Sequence, residues 1–161
     1  MRFQVHRRRG FTLLELAIAV VLLVLLMMLA VPSMSGVLAD KRLRKSLDSF
    51  NAIVREAQER SMIERRAYLI VWQDGKIGLR PEGLLRGESP EPEMKIKIAK
   101  NESFRVSFPA ALIDDAPAQW IFWPSGNCEP AMVSYQGRDG KWTANYSALT
   151  ARSETISYVA K

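Results

Sequence analysis

Between Phe11 and Val31 the chain carries a single charged side chain, Glu15, and from Leu16 onward that stretch is apolar without a break. A helix needs about 20 predominantly apolar residues to cross hydrocarbon, so this segment has the length of a membrane anchor. The glutamate is the anomaly. A carboxylate at the centre of a membrane helix costs roughly 2.5–3.5 kcal/mol on insertion scales, and it therefore calls for a partner. A cut after Gly10 supplies one, because Phe11 becomes the new terminus and its α-amine, with an ordinary pKa of about 8, is a cation four residues from Glu15. Among parallel helices, one subunit's terminal amine would pair with a neighbour's Glu15 at low dielectric, where a lone carboxylate is strongly disfavoured. The anchor is then also an assembly surface.

The run Arg9-Gly10-Phe11-Thr12-Leu13-Leu14-Glu15-Leu16 resembles the class III signal of type IV pilins and type II secretion pseudopilins. The resemblance implies cleavage by prepilin peptidase after Gly10, N-methylation of the new terminus Phe11, and a role for Glu15 in assembly. A cleavable secretory signal has a 7–15-residue apolar core and an A-x-A-like site. Here the apolar run is longer, and Met28 stands at the first small-residue position of its end, Met28-Leu29-Ala30.

Charge sets the topology. The formal net charge of +6 includes Arg2, Arg7, Arg8 and Arg9, so without residues 1–10 it falls to +2, and a general argument from charge for nucleic-acid binding loses its force. Basic residues flanking a first apolar helix stay cytoplasmic and send the C-terminal domain across the membrane, which in a Gram-negative cell means into the periplasm. The expected localisation is the inner membrane, single-pass, and then a periplasmic pseudopilus.

Cys128 is the only cysteine, so no disulfide forms within the chain, whereas major type IV pilins commonly close a C-terminal loop with one. Its absence points toward a pseudopilin or minor pilin, and Cys128 reads as a small buried hydrophobe. His6 is the sole histidine and lies before the cut. The processed chain then has no imidazole for general-base catalysis, a Ser-His-Asp site or a Cys/His zinc site. Ser125-Gly126 lacks the surroundings of a nucleophile elbow, and the adjacent Asp114-Asp115 falls short of calcium's six to eight oxygen ligands. No enzyme, cofactor or metal is expected.

Pro32 closes the apolar run, as a kink or as the membrane exit, and Ser35-Gly36 adds flexibility. Beyond it Leu43, Leu47, Phe50, Val54 and Ala57 recur at spacings of four and three, which predicts an amphipathic helix to about Glu64 with one buried stripe. The Lys41–Lys45 and Arg65-Arg66 clusters read as a solvated helix face, the commoner case, with contact to phospholipid headgroups or an anionic partner as the alternative. The expected organisation is a leader at 1–10, a transmembrane and assembly helix at 11–33, its amphipathic continuation at 34–66, and a β-rich periplasmic head at 67–161.

From Tyr68 the period becomes two. Tyr68-Leu69-Ile70-Val71-Trp72 and Lys76-Ile77-Gly78-Leu79 flank Asp74-Gly75, the dipeptide of a two-residue hairpin turn. Further strands are predicted around Ile96, Val106, Ile121, Val133, Ala144 and Ser157, about eight in all, while residues 81–93, rich in Pro, Gly and Glu, read as a loop or a disordered excursion. Trp120 and Trp123 read as core. The turn Phe122-Trp123-Pro124-Ser125-Gly126 and the helix-to-hairpin passage from Arg55 to Trp72 resemble the H-type minor pseudopilins (GspH) and the FimT/FimU-like minor pilins. The expected fold is α+β and pilin-like, a long N-terminal stalk helix packed on an antiparallel β-sheet head.

That resemblance implies a minor pseudopilin of a type II secretion system at or near the tip of a pseudopilus that helps export folded proteins. Its partners would be prepilin peptidase, other major and minor pseudopilins, the inner-membrane assembly platform and inner-membrane lipid. The alternative is a minor type IV pilin of a DNA-uptake or twitching machine, holding nucleic acid through Arg138, Lys141 and Arg152. Asp139 and Glu154 interrupt those cations, so nucleic acid is not the expected partner.

Overall fold

A 51-residue helix, α1 (Leu13–Ile63), precedes eight strands among the described residues. The computed structural model describes residues 12–109 and 119–161, with the backbone alone for residues 29–35. The leader with His6, the cut between Gly10 and Phe11, and the pair Asp114-Asp115 lie outside the described residues, as does the side chain of Pro32. The chain divides into two compact units, Met1–Val37 and Leu38–Lys161.

In the first unit, α1 opens on a cap. Thr12 Oγ1 accepts the Glu15 backbone N–H at 3.2 Å, and the Thr12 carbonyl accepts the Leu16 N–H at 3.2 Å, the first intrahelical bond. From Leu13 to Met28 every side chain is exposed. Among the described residues no helix is long and apolar enough to cross a membrane, and the apolar run expected to do so continues past Met28 into residues without described side chains.

In the second unit, α1 presents a continuous inward stripe of Ala39, Leu43, Phe50, Ile53, Val54, Ala57 and Ser61, with Leu47 partly buried at its edge. The helix stops where Arg65 takes a left-handed φ of 52°, one residue after the Glu64 N–H bonds the Arg60 carbonyl at 2.9 Å.

The strands are β1 (Tyr68–Gln73), β2 (Lys76–Pro81), β3 (Met94–Lys97), β4 (Ser103–Ser107), β5 (Gln119–Phe122), β6 (Ala131–Gly137), β7 (Gly140–Tyr146) and β8 (Ser153–Ala160). They form two antiparallel four-stranded sheets, in the orders β3-β2-β1-β5 and β4-β6-β7-β8. The β1–β2 hairpin turns on Asp74 and Gly75, with φ of 51° and 67°, the doubly positive turn that an Asp-Gly pair favours.

Phe50 stands at the centre of the core. Its ring lies 5.6 Å from Phe104, 5.8 Å from Tyr146, 6.0 Å from Trp142 and 6.3 Å from Trp72 between centroids, so one helix residue meets aromatics of both sheets. Polar helix residues beside the stripe satisfy the polar ends of the second sheet's aromatics. Trp142 Nε1 donates to Ser46 Oγ, Tyr146 OH to Asn51 Oδ1, and Tyr158 OH to Asp40 Oδ1, at 2.8, 2.7 and 2.8 Å. A buried aromatic with a polar tip needs such a partner.

Of the two readings of residues 81–93, loop and disordered excursion, the structure shows the loop, a fastened strap that follows Pro81 at the end of β2. Glu88 pairs with Arg66 at 2.8 Å and accepts the Leu85 N–H at 2.8 Å, Glu91 pairs with Lys95, and Glu93 pairs with Arg60. Pro92 sits against Gly78, where a Cβ would come within 2.5 Å of it. The Pro- and Glu-rich composition that suggested disorder supplies the apolar underside and the acidic fasteners. Trp123 also departs from expectation: it follows inward-facing Phe122, falls on the other face, and is 40% exposed, while Trp120 is fully buried.

Candidate functional site

The N-terminal segment brings one acidic side chain to the first turn of a helix whose described apolar surface has no cover. Leu13 is 88% exposed and Leu14 71%, and Glu15 sits between them and Leu16 at the third helical position. There a carboxylate faces the partial positive charge of the helix N-terminus. Thr12-Leu13-Leu14-Glu15 has the T-x-x-E spacing of a capping box, and the structure makes the half in which the threonine oxygen accepts the glutamate N–H. Sequence reasoning singled out Glu15 and passed over Thr12, although this spacing was a readable signal. Gly10 and Phe11 lie outside the described residues, so the geometry of the site begins at Thr12.

The three basic residues of the alternative reading do not converge. Arg138 lies in the β6–β7 turn and Lys141 two residues beyond Asp139 in the start of β7, whereas Arg152 precedes Ser153, which pairs with Tyr146 at the far end of β7. Asp139 is already held by Arg42, whose Nε and Nη2 each donate to its carboxylate at 2.8 Å. That bond, with the neighbouring cations Arg42 and Arg138, holds the Asp139 carboxyl below its ordinary pKa.

Cys128 is buried beneath the β5 end, with its thiol 3.5 Å from the Ser147 carbonyl, and burial together with nearby Glu129 pushes its pKa up to about 11. A thiol so placed is a packing group, since reactivity requires thiolate. Among the described residues no group of His, Cys, Asp and Glu is arranged to hold a metal ion.

The two parts of the described chain, a capped apolar helix with an acid in its first turn and a helix-plus-two-sheet head, each find a likeness among known proteins. Residues 5–31 match the family described as the prokaryotic N-terminal methylation motif. The head is similar in fold to the type IV minor pilin FimU of Pseudomonas aeruginosa, at TM-score 0.53 and 15% identity over 73% of this chain and 90% of that one. It is equally similar to the minor pseudopilin EpsH of the type II secretion system of Vibrio cholerae. Two EpsH structures match at TM-scores of 0.54 and 0.52, with 9% and 12% identity, over 76% and 71% of this chain and 98% and 95% of those. At these identities the likeness speaks to fold. No curated protein matches the chain by sequence at a significant level.

Proposed function

We propose that this chain is a minor pseudopilin of a type II protein secretion system. Prepilin peptidase removes residues 1–10 by cutting between Gly10 and Phe11, and Phe11 is then N-methylated. Residues 11–33 hold the subunit in the inner membrane with its N-terminus cytoplasmic, residues 34–66 continue the helix, and residues 67–161 complete a periplasmic head. From there the assembly platform draws it, with other major and minor pseudopilins, into the tip region of a pseudopilus that helps export folded proteins. Glu15 guides assembly by accepting the Phe11 amine of a neighbouring subunit. The chain acts as a structural subunit rather than an enzyme.

The observation that carries this reading is the pairing, in one chain, of the methylation motif at residues 5–31 with a head whose fold matches EpsH. The likeness to FimU supports a second reading, a minor type IV pilin. The nucleic-acid version of that second reading is weakened by the separation of Arg152 from Arg138 and Lys141, because a strand-tracking groove wants its cations in line.

Deleting the gene and measuring both outputs decides between them. The secretion reading expects folded exoproteins to accumulate in the periplasm with surface pili and DNA uptake intact. Normal export with lost twitching or uptake would overturn it in favour of the pilus.

A further inference from the structure

The head's helix begins in a ring of positive charge. Lys41, Arg42, Arg44 and Lys45 occupy little more than one turn, and Leu43, the inward-facing residue among them, packs into the core. The β6–β7 turn is brought to the same place, so Arg138 and Lys141 join them. Two contacts hold it there, and a third ties Lys161 to the turn. Arg42 grips Asp139 with two bonds of 2.8 Å, Gly140 lies so close to Leu43 that a Cβ would meet its Cδ2 at 2.8 Å, and the Lys161 N–H bonds the Asp139 carbonyl at 3.0 Å.

Seven cations therefore gather at one end of the head, counting Lys161, against Asp40 and Asp139, with Asp48 one helical turn further on and Glu102 bound to the Tyr135 hydroxyl beside Gly137. Asp139 is held by Arg42, and Asp40 by Arg44 at 2.9 Å and by the Tyr158 hydroxyl at 2.8 Å. Among the described residues Lys41, Lys45, Arg138, Lys141 and Lys161 have no ion pair. At the other end of the head's helix Arg55, Arg60 and Arg66 are each matched with glutamates, and Arg65 stands there without an ion pair among the described residues.

We propose that this collar of Lys41, Arg42, Arg44, Lys45, Arg138 and Lys141 rests on anionic phospholipid headgroups, docking the head on the membrane surface until the subunit is drawn into the filament. The inference builds on the anchoring reading above. Two observations favour lipid over nucleic acid. Lys41 lies only ten residues beyond Val31, the last residue of the apolar run, which tethers the collar near whatever surface holds that run. The collar's one aromatic, Tyr158, lies beneath the Arg44 guanidinium, 5.7 Å from it, with its hydroxyl bound to Asp40, so it offers no stacking platform for bases. Each basic residue near an anionic surface strengthens binding about fivefold, and the attraction is screened by salt.

The test uses the full chain reconstituted in phosphatidylcholine vesicles and in the same vesicles doped with phosphatidylglycerol. A fluorophore on Gln136→Cys, an exposed position beside the collar, transfers energy to a headgroup acceptor, and buried Cys128 stays unlabelled. Transfer should rise with phosphatidylglycerol and return to the neutral-lipid level at about 0.5 M salt, where screening acts within a few Å. The variant Lys41→Gln/Lys45→Gln/Arg138→Gln, which alters only exposed side chains, should weaken the docking about a hundredfold and remove the rise. Equal transfer in both vesicles, or a rise that survives the triple substitution, overturns the proposal. So does a DNA duplex that binds the wild-type chain at physiological salt and not the triple variant while anionic lipid changes nothing. Flotation with neutral vesicles at high salt reports the anchor separately. A chain that floats but shows equal transfer sinks the collar alone, and one that fails to float sinks the anchoring reading and the collar with it.

Discussion

Trp142 donates its Nε1 hydrogen to Ser46 Oγ at 2.8 Å and joins β7 to the head's helix across 96 residues of chain. The indole is fully buried, so solvent cannot take that hydrogen once the serine oxygen is gone. An unsatisfied buried donor costs about 1–3 kcal/mol. Ser46→Ala should lower the unfolding free energy by that much, read as a lower denaturant midpoint with an unchanged m-value. In the double variant with Trp142→Phe the loss should be smaller than the sum of the two single losses, and strict additivity would mean the bond contributes nothing.

Gly140 and Gly36 make opposite predictions for the same substitution. At Gly140 φ is 144°, and a Cβ would lie 2.2 Å from the Val159 carbonyl oxygen and 2.8 Å from Leu43 Cδ2, so backbone and core must both yield. Gly140→Ala should destabilise the head by about 1–3 kcal/mol, the usual range for forced overpacking. Gly36 is helical with nothing within 4 Å of its would-be Cβ. Gly36→Ala should raise helix stability by about 0.5–1 kcal/mol. Circular dichroism during thermal unfolding distinguishes the two directions.

The strap over Gly78 should loosen in acid. The Leu85 N–H and the Arg66 guanidinium both bond the charged form of Glu88 and hold its pKa below 4.5, its ordinary value, and Lys95 does the same for Glu91. A carboxylate with a depressed folded pKa stabilises fully above the unfolded value and loses that contribution as pH falls through the folded one. Protection of the Leu85 amide from hydrogen exchange, corrected for intrinsic rates, should therefore be constant at neutral pH and decline only below the ordinary carboxylate range. Glu88→Gln should reproduce the loosened state at neutral pH. Unchanged protection in that variant would show the ion pair to be ornamental, as many exposed pairs are.

Cys128 is 2% exposed and its thiol is pushed up to about 11, so both access and ionisation oppose modification. Maleimide labelling of the native chain at neutral pH should be negligible and should reach one thiol per chain in denaturant. Rapid native labelling would require an opening of the β5 end that the packing gives no reason to expect.

Periodicity made strands such as β4, β6 and β7 legible because they bury alternate residues, whereas β1, with Tyr68, Leu69, Ile70 and Val71 all buried, showed itself by its β-branched and aromatic run before Asp74-Gly75. Met94-Lys95-Ile96-Lys97 and Phe104-Arg105-Val106-Ser107 alternate as half-buried strands do, and both lie in strands. The core stripe was legible for the same reason at period 3.6, although Ile53 was missed because it flanks Val54 on a stripe wider than one row. Pairing between distant segments stayed hidden. Nothing local in the sequence says that Arg42 will meet Asp139, 97 residues on, or that Glu88 will meet Arg66. The split of eight strands into two sheets is of the same kind, since register and order are set by tertiary packing. The proposed assembly residues stand out for a different reason: their signal is a charge in an apolar run, an energetic oddity that needs no fold to be noticed.

On the proposed reading Glu15 has two separable roles, and substitutions part them. Its backbone N–H is capped by Thr12 Oγ1, while its carboxylate stands exposed at the positive end of the helix. Thr12→Ala removes the cap, costs about 1 kcal/mol of helix-end stability, and should leave leader removal and filament incorporation near normal. Glu15→Gln keeps the shape and the capped N–H but removes the charge that would accept a neighbour's Phe11 amine. It should be processed normally, as mass spectrometry of the terminus would report, and yet fail to crosslink into the filament as completely as Glu15→Ala. Gly10→Ala should fail one step earlier, retaining residues 1–10. If Glu15→Gln assembled like the wild type, the carboxylate would be no more than an N-terminal helix residue, and the pairing of acid and amine between subunits would have to be abandoned.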